Sequence, residues 1–322
     1  MTLRIKHGRL PEISNRQQLA DLLDLPDETL ETLLDSVEGE YQIFRIPKRS
    51  GGTRRIAAPS RRLLRCQRRI TAYILYAVSP HSAAHGFVRY RGILENASAH
   101  LDKDLVLKLD LVDFFDSIPE ARILGVFNDL GYGDDVARDL ANLCCLGGSL
   151  PQGAATSPPL SNIVAHGLDQ RLAQLAEKRD LSYTRYADDL TFSGADLPPN
   201  LIEVVSRNIC NEGFRVNAKK TRLIRTKRGR RVVTGISVAT EQPKVPREFK
   251  RRLRQEVHYV LSYGYLSFAD RMKIENPGTY LDTLRGRLAF WHWVEPDNRF
   301  LERHYDDFVA TCEEFKRIAI RL

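Results

Sequence analysis

The segment Ser182–Gly194 sets two carboxylates, Asp188 and Asp189, side by side between β-prone runs that hold Thr184, Tyr186, Leu190 and Phe192. Successive strand residues point to opposite faces, and adjacent like charges in a sheet repel. The pair suits its surroundings if both side chains sit at a hairpin tip and turn toward one bound cation. Hard divalent ions such as Mg²⁺ take carboxylate, water and phosphate oxygens. A third carboxylate, Asp110, comes near the end of the alternating strand Leu105–Leu111. There Leu105, Leu107, Leu109 and Leu111 face one way, and Val106, Lys108 and Asp110 the other, as in a half-buried strand. Two metals held by such a set activate an attacking hydroxyl and stabilise a leaving phosphate oxygen. For the dipeptide alone, a polar turn is the better reading; Asp110 and the charge pattern shift the balance.

The 322-residue chain has a net charge of +8, unevenly spread. Residues 45–69 hold ten Lys/Arg and no acid, and residues 215–254 hold fifteen against two Glu. Together they carry +23, leaving −15 on the rest. Dense arginine blocks in an otherwise acidic chain point to a polyanion such as nucleic acid. Anionic lipid is the weaker alternative, because the apolar residues between the charges have core spacing. No apolar run approaches the ~20 residues that span a bilayer. The opening MTLRIKHGRLPE lacks a signal-peptide core, so a cytoplasmic protein without a membrane partner is expected. Cys66, Cys144, Cys145, Cys210 and Cys312 form no CxxC pair and are expected as reduced thiols.

The elements that must position the carboxylates follow from periodicity. Residues 14–37 read as two helices starting at Ser14 and Pro26/Asp27, 41–57 as a hairpin through Gly51-Gly52, and 59–78 as a basic helix. A helix over 119–130, a turn at 147–151 and one long helix over 157–178 precede the 183–193 hairpin. A helix over 199–212 and strands at 214–216, 222–225 and 232–238 follow. After Pro243 only helices are expected, one striped by Phe249, Leu253, Val257 and Leu261, another by Leu301, Tyr305, Phe308, Cys312, Phe315 and Ala319. This order suggests a split α/β centre between two accessory regions.

Four stretches occur in one order that resembles reverse transcriptases. YADD (186–189) is similar to their catalytic signature, LDLVDFFDSI (109–118) to the first catalytic motif, LPQGAATSPPLSN (150–162) to the template and nucleotide motif, and NAKKT (217–221) to the lysine motif. The resemblance covers about residues 45–293. Within that superfamily NASAH (96–100), VTG (233–235) and LRGRLAFWHWV (284–294) resemble the retron group. The resemblance implies an α+β right-hand polymerase with α/β fingers, a ferredoxin-like palm and an all-helical thumb. Its expected divisions are 1–104 (N-terminal helices and fingers), 105–243 (palm, with part of the fingers inserted at about 119–155) and 244–322 (thumb and RNA-binding region).

The resemblance also assigns roles. Asp110 and Asp188 would ligate two Mg²⁺ ions, with Mn²⁺ as a substitute, the Leu111 carbonyl adding a ligand and Asp189 a less direct one. Phe115 would be the steric gate that favours dNTPs, while Phe114 packs in the core. Arg55 would grip the triphosphate, which suits a guanidinium. Lys48 either assists or is solvated. Gln152 and Gly153 would lie against the nascent base pair, glycine permitting close approach. Lys220, or Lys219, would serve the pyrophosphate leaving group. Asn96 and His100 would contact RNA or position an element that does. The strand with Val233, Thr234 and Gly235 and the basic helix with Arg247, Lys250, Arg251 and Arg254 would bind the RNA stem-loop.

The activity so implied is RNA-templated DNA synthesis, primed from the 2′-OH of a guanosine in a cognate non-coding RNA (msr-msd), giving msDNA. An effector protein and anti-phage defence come with that group. Group II intron or diversity-generating enzymes are the alternatives; the intact LPQG and the short C-terminal region after 293 argue against them. An inactive RNA-binding scaffold is the other, and it is expected to lack one of the three carboxylates.

Overall fold

The computed structural model describes residues 5, 10–48, 51–225 and 230–321, with side chains described to residue 317. Arg49 and residues 226–229 of the basic blocks lie outside the described residues, as does the side chain of Ala319. Two compact units result: residues 1–92 with 104–224, and residues 93–103 with 225–322.

The first unit opens with α1 (Arg16–Leu23) and α2 (Asp27–Asp35). Asn15, not Ser14, caps α1, its side chain accepting from Gln18 N at 3.0 Å. The hairpin β1 (Tyr41–Pro47) and β2 (Thr53–Pro59) leads into α3 (Arg61–Tyr73), capped by Ser60. The short α4 (Ile93–Ser98) belongs to the second unit. The chain returns with β3 (Leu105–Asp110), α5 (Glu120–Asp129), α6 (Asp134–Cys144), α7 (Ser157–Val164), α8 (His166–Glu177), β4 (Ser182–Tyr186), β5 (Asp189–Gly194), α9 (Leu201–Asn211) and β6 (Arg222–Arg225).

The strands form a sheet of order β4-β5-β3-β6, with β5 antiparallel to both neighbours. β3 therefore lies inside the sheet, and Val106 and Asp110 are buried along with Leu107 and Leu109. The expected half-buried alternation is replaced by cover on both faces. The helix expected over 157–178 breaks at Ala165 into α7 and α8, α8 packing against β4. α6 answers no expected element, although Val136, Ala137, Leu140, Ala141 and Cys144 share its buried face. Residues 214–216 contribute one bridge, Leu111 to Val216, rather than a strand.

In the second unit β7 (Val232–Val233) and β8 (Ile236–Ser237) form a tight hairpin where one strand over 232–238 is expected. Its turn residues Thr234 and Gly235 have φ of 45° and 88°. Two successive positive φ values are what a two-residue hairpin turn demands, and they fold the expected strand back on itself. α10 (Arg247–Tyr263), α11 (Tyr265–Arg271), α12 (Pro277–Val294) and α13 (Arg299–Arg321) follow. Leu253, Val257, Leu284, Trp291, Phe308 and Cys312 are buried among them. Cys66, Cys144, Cys145 and Cys312 are buried, Cys210 is exposed, and none is disulfide-bonded. Among the described residues no helix is long and apolar enough to cross a membrane.

Candidate active site

Strand pairing brings the carboxylates together. Asp110, the last residue of β3, pairs in register with Asp189, the first of β5, and Asp189 also pairs with Tyr186 of β4. The turn between β4 and β5 is Ala187-Asp188. Asp188 alone is at the tip; Asp189 starts the strand, so the expectation that both sit on the turn holds for one of them. The Asp188 carbonyl accepts from Leu111 N at 2.9 Å, which fastens the tip to the end of β3.

Ala187 has φ of 57°, a left-handed value for a residue with a Cβ, and sparsely populated backbone of this kind costs about 1–3 kcal/mol. A buried clamp holds it. Arg185, fully buried, donates through Nε and Nη2 to both oxygens of Asp169 on α8 (2.8 and 2.6 Å) and through Nη1 to the Ala187 carbonyl (3.1 Å). Tyr183 donates to the same Asp169 at 2.9 Å. On the other side Gly86 lies so close that a Cβ there would fall 2.6 Å from Ala187 N. Sequence reading missed Arg185 and Asp169. The signal was present: a strand arginine sharing a face with Tyr183 requires a carboxylate partner, because unpaired arginine is almost never buried.

The NAKKT segment closes the site from below. Asn217 donates to Asp110 Oδ1 (3.1 Å), and Lys220 Nζ donates to Oδ1 (2.9 Å) and Oδ2 (2.7 Å). Of the two candidate lysines it is Lys220 that reaches Asp110. Hydrogen bonding to Asp110 raises the Lys220 pKa. Burial, and then the Asp189 charge, push the Asp188 carboxyl up to about 6, and burial with the Asp110 charge raises Asp189. Three carboxylates against Lys220 and the more distant Lys108 leave an excess of negative charge that burial makes costly.

Above them opens a cleft of about 750 Å³ whose lining includes Lys48, Arg54, Phe115, Gln152, Asp188 and Lys220. Its floor is acidic and its β1–β2 wall basic, a pairing suited to an anion carried with cations. Arg54 rather than Arg55 lines this wall, since neighbouring strand residues face apart. Burial, and then the Asp113 charge, raise the Asp116 carboxyl, and Arg55 is close enough to offset part of that rise. Phe115 rests against Phe87 (centroids 6.0 Å apart), and Phe114 is buried on Phe214. Gly153 has φ of 137°, and a Cβ there would collide with the Ala57 carbonyl. Its close approach is thus to β2, where Ala57 N donates to the Gln152 carbonyl at 2.9 Å.

The residues fit a divalent cation by donor chemistry: hard oxygens, half-buried and short of positive charge. Among the described residues no three His, Cys, Asp or Glu side chains close around one point, and Asp110 is turned onto Lys220.

The expected RNA contacts divide by burial. Thr234, Gly235, Arg247, Arg251 and Arg254 are at least partly exposed. Asn96, His100 and Val233 are buried, beneath that surface. Asn96 Nδ2 donates to Thr234 Oγ1 (3.4 Å), and Thr234 Oγ1 to the Ile93 carbonyl (3.0 Å), so α4 supports the turn. Lys250 is committed to Glu295 at 2.9 and 3.1 Å, inside the unit.

Residues 46–260 match the family model described as reverse transcriptase (RNA-dependent DNA polymerase). The chain belongs to the reverse transcriptase family and is an RNA-directed DNA polymerase. It is 34% identical to the Retron Ec86 reverse transcriptase of Escherichia coli, over 80% of this chain and 82% of that one. It is 42% identical to the Retron Mx65 enzyme of Myxococcus xanthus over 68% of this chain and 55% of the relative, and 33% identical to the Retron Mx162 enzyme of the same organism over 91% and 66%. Within the family it is a retron reverse transcriptase.

Proposed function

We propose that this retron reverse transcriptase makes msDNA in the cytoplasm, copying its cognate non-coding RNA with dNTPs and priming from the 2′-OH of a guanosine in that RNA. The observation that carries the reading is the meeting of Asp110, Asp188 and Asp189 at adjoining strand ends on the floor of a basic-walled cleft. Asp110 and Asp188 would hold Mg²⁺, or Mn²⁺, with the Leu111 carbonyl and Asp189 in support. Bound there, two such ions supply activation of the attacking hydroxyl and neutralisation of the leaving oxygen.

The chain's own groups do the rest. Lys220, released from Asp110, is placed to give a proton to departing pyrophosphate. Phe115, held by Phe87 and Phe114, is the ring a ribose 2′-OH would strike. Arg54 and Lys48 face the triphosphate across the cleft, with Arg55 in reach of Asp116. Gln152 is braced by β2 against the nascent pair. The four-stranded sheet serves as a ferredoxin-like palm, β1–β2 as fingers and α10–α13 as thumb. The Thr234-Gly235 turn with Arg247, Arg251 and Arg254 recognises the RNA stem-loop, while an effector protein is restrained by the complex in phage defence.

The test is the nucleic acid that co-purifies with the protein, together with primer extension. A short DNA joined 2′–5′ to a structured RNA supports the reading. Random RNA, or full incorporation by an Asp188→Asn/Asp189→Asn variant, sinks it.

A further inference from the structure

The loop that follows Ala84 carries, beyond Phe87, side chains the catalytic geometry leaves unused. Phe87 and Tyr90 have φ of 63° and 61°, yet the two residues are 44% and 94% exposed. Left-handed backbone is a genuine outlier for bulky residues, and nothing in core packing repays it here. Arg89 lies between two rings, 5.6 Å from that of Tyr76 and 5.8 Å from that of Tyr90. Tyr76 is itself exposed. Phe87, Arg89 and Tyr76 share a small recess of about 30 Å³ with Asn162. Asn162 is 2% exposed, donates to the Gly86 carbonyl at 2.9 Å, and leaves its buried Oδ1 without a partner. Phe87 also lines the catalytic cleft and touches Phe115, so the row is continuous with the active site.

Flat rings separated by a guanidinium are a surface for unpaired nucleobases: every base has a π-face, and arginine adds cation–π attraction and phosphate charge. A protein partner seated here would cover a cleft wall that template and primer must enter. In template-directed synthesis the strand behind the site is a hybrid duplex, and the unpaired strand at the site is the template still to be copied. We infer that Tyr76, Phe87, Arg89 and Tyr90 form a stacking ledge for the uncopied RNA template at the mouth of the cleft.

The inference rests on the polymerase site proposed above, and the test separates the two. RNA–DNA duplexes with a template overhang of one or about six unpaired nucleotides, a length within single-strand site sizes, are compared by fluorescence anisotropy and by single-nucleotide addition. Wild type binds the longer overhang about tenfold more tightly, the worth of roughly one stacked base. In Arg89→Ala/Tyr90→Ala that ratio falls to near one, and Tyr90→Phe, which keeps the ring, restores most of it. An undiminished ratio in the double variant, no ratio in wild type, or equal weakening on both duplexes overturns the ledge. Failure of wild type to add a nucleotide to either duplex sinks the active-site reading instead, while anisotropy still decides the ledge.

Discussion

The end of β3 and the α4–β7 layer each gather residues from motifs far apart in sequence, but they treat them in opposite ways. At β3 the polar atoms stay open to a cleft: Asp188 is half-buried and Lys220 is 56% exposed. At and just after α4 the side chains of Asn96 and His100 are sealed, and what reaches the surface is the turn that Asn96 supports. One motif offers reactive atoms, and the other shapes a backbone that offers different ones. Burial separates the two uses, and burial is set by tertiary packing that a tetrapeptide does not display.

The sharpest way to break the comparison is at the cleft. Asp110→Asn or Asp188→Asn is expected to lower dNTP incorporation at least about 10³-fold, as for loss of a group that acts on developing charge. The melting temperature of Asp188→Asn should hold or rise, since a carboxylate raised by burial is removed, whereas Asp110→Asn gives up the Lys220 ion pair and should lower it slightly. Incorporation within tenfold of wild type would remove these residues from the chemistry.

Next in size is the clamp beneath the turn. Arg185→Met strands Asp169 as a fully buried carboxylate and removes the donor to Ala187 O, so it should cost about 3 kcal/mol by denaturant unfolding. Arg185→Lys keeps the charge and loses the two-pronged fit, and should recover part of the stability but little of the activity. Equal recovery of both would make the clamp purely structural.

Much of this site was legible in the residues. The alternation of 105–111 and the Asp-Asp pair implied adjoining strands, and the order of the motifs implied the family. What stayed hidden depended on cross-strand partners. The role given to Arg55 rested on motif matching, and in the fold Arg54 lines the cleft while Arg55 lies within charge range of Asp116. Gly153 needed freedom, as read, and the pressure visible in the fold comes from Ala57 of β2. Thr234-Gly235 was read inside a strand because Val232, Val233, Ile236 and Val238 are strand formers, and propensity alone cannot show two positive φ values.

On the sealed side of the comparison the effects are smaller and fall on stability. Asn96→Ala should cost about 1–2 kcal/mol through a lost buried hydrogen bond, and Gly235→Ala about 1 kcal/mol because φ of 88° disfavours a Cβ. Chemical denaturation followed at Trp291 and Trp293 measures both. Their kcat on a generic RNA–DNA duplex should remain within about twofold of wild type, whereas binding of the cognate RNA weakens with Gly235→Ala. A large fall in kcat on the generic duplex would show that this layer acts on chemistry after all.

The smallest effect is a linkage. The Asp188 carboxyl is raised from the ordinary 3.8 to about 6 in the fold, by burial first and then by Asp189. At this carboxyl the folded protein therefore binds more protons than the unfolded chain, and without metal its contribution to stability rises as pH falls through about 6 toward 3.8. Asp189 is raised in the same sense and Lys220, also raised, stays charged throughout, while His81, lowered by burial, acts in the opposite sense. A divalent cation supplies at high pH the positive charge that protons supply at low pH. Mg²⁺ should accordingly raise the melting temperature by a few degrees, about 1 kcal/mol, at pH 8 and by little at pH 5. In Asp188→Asn the gain should shrink and lose its pH dependence. A gain of equal size at both pH values, or one untouched by that substitution, would place the cation somewhere other than the YADD turn.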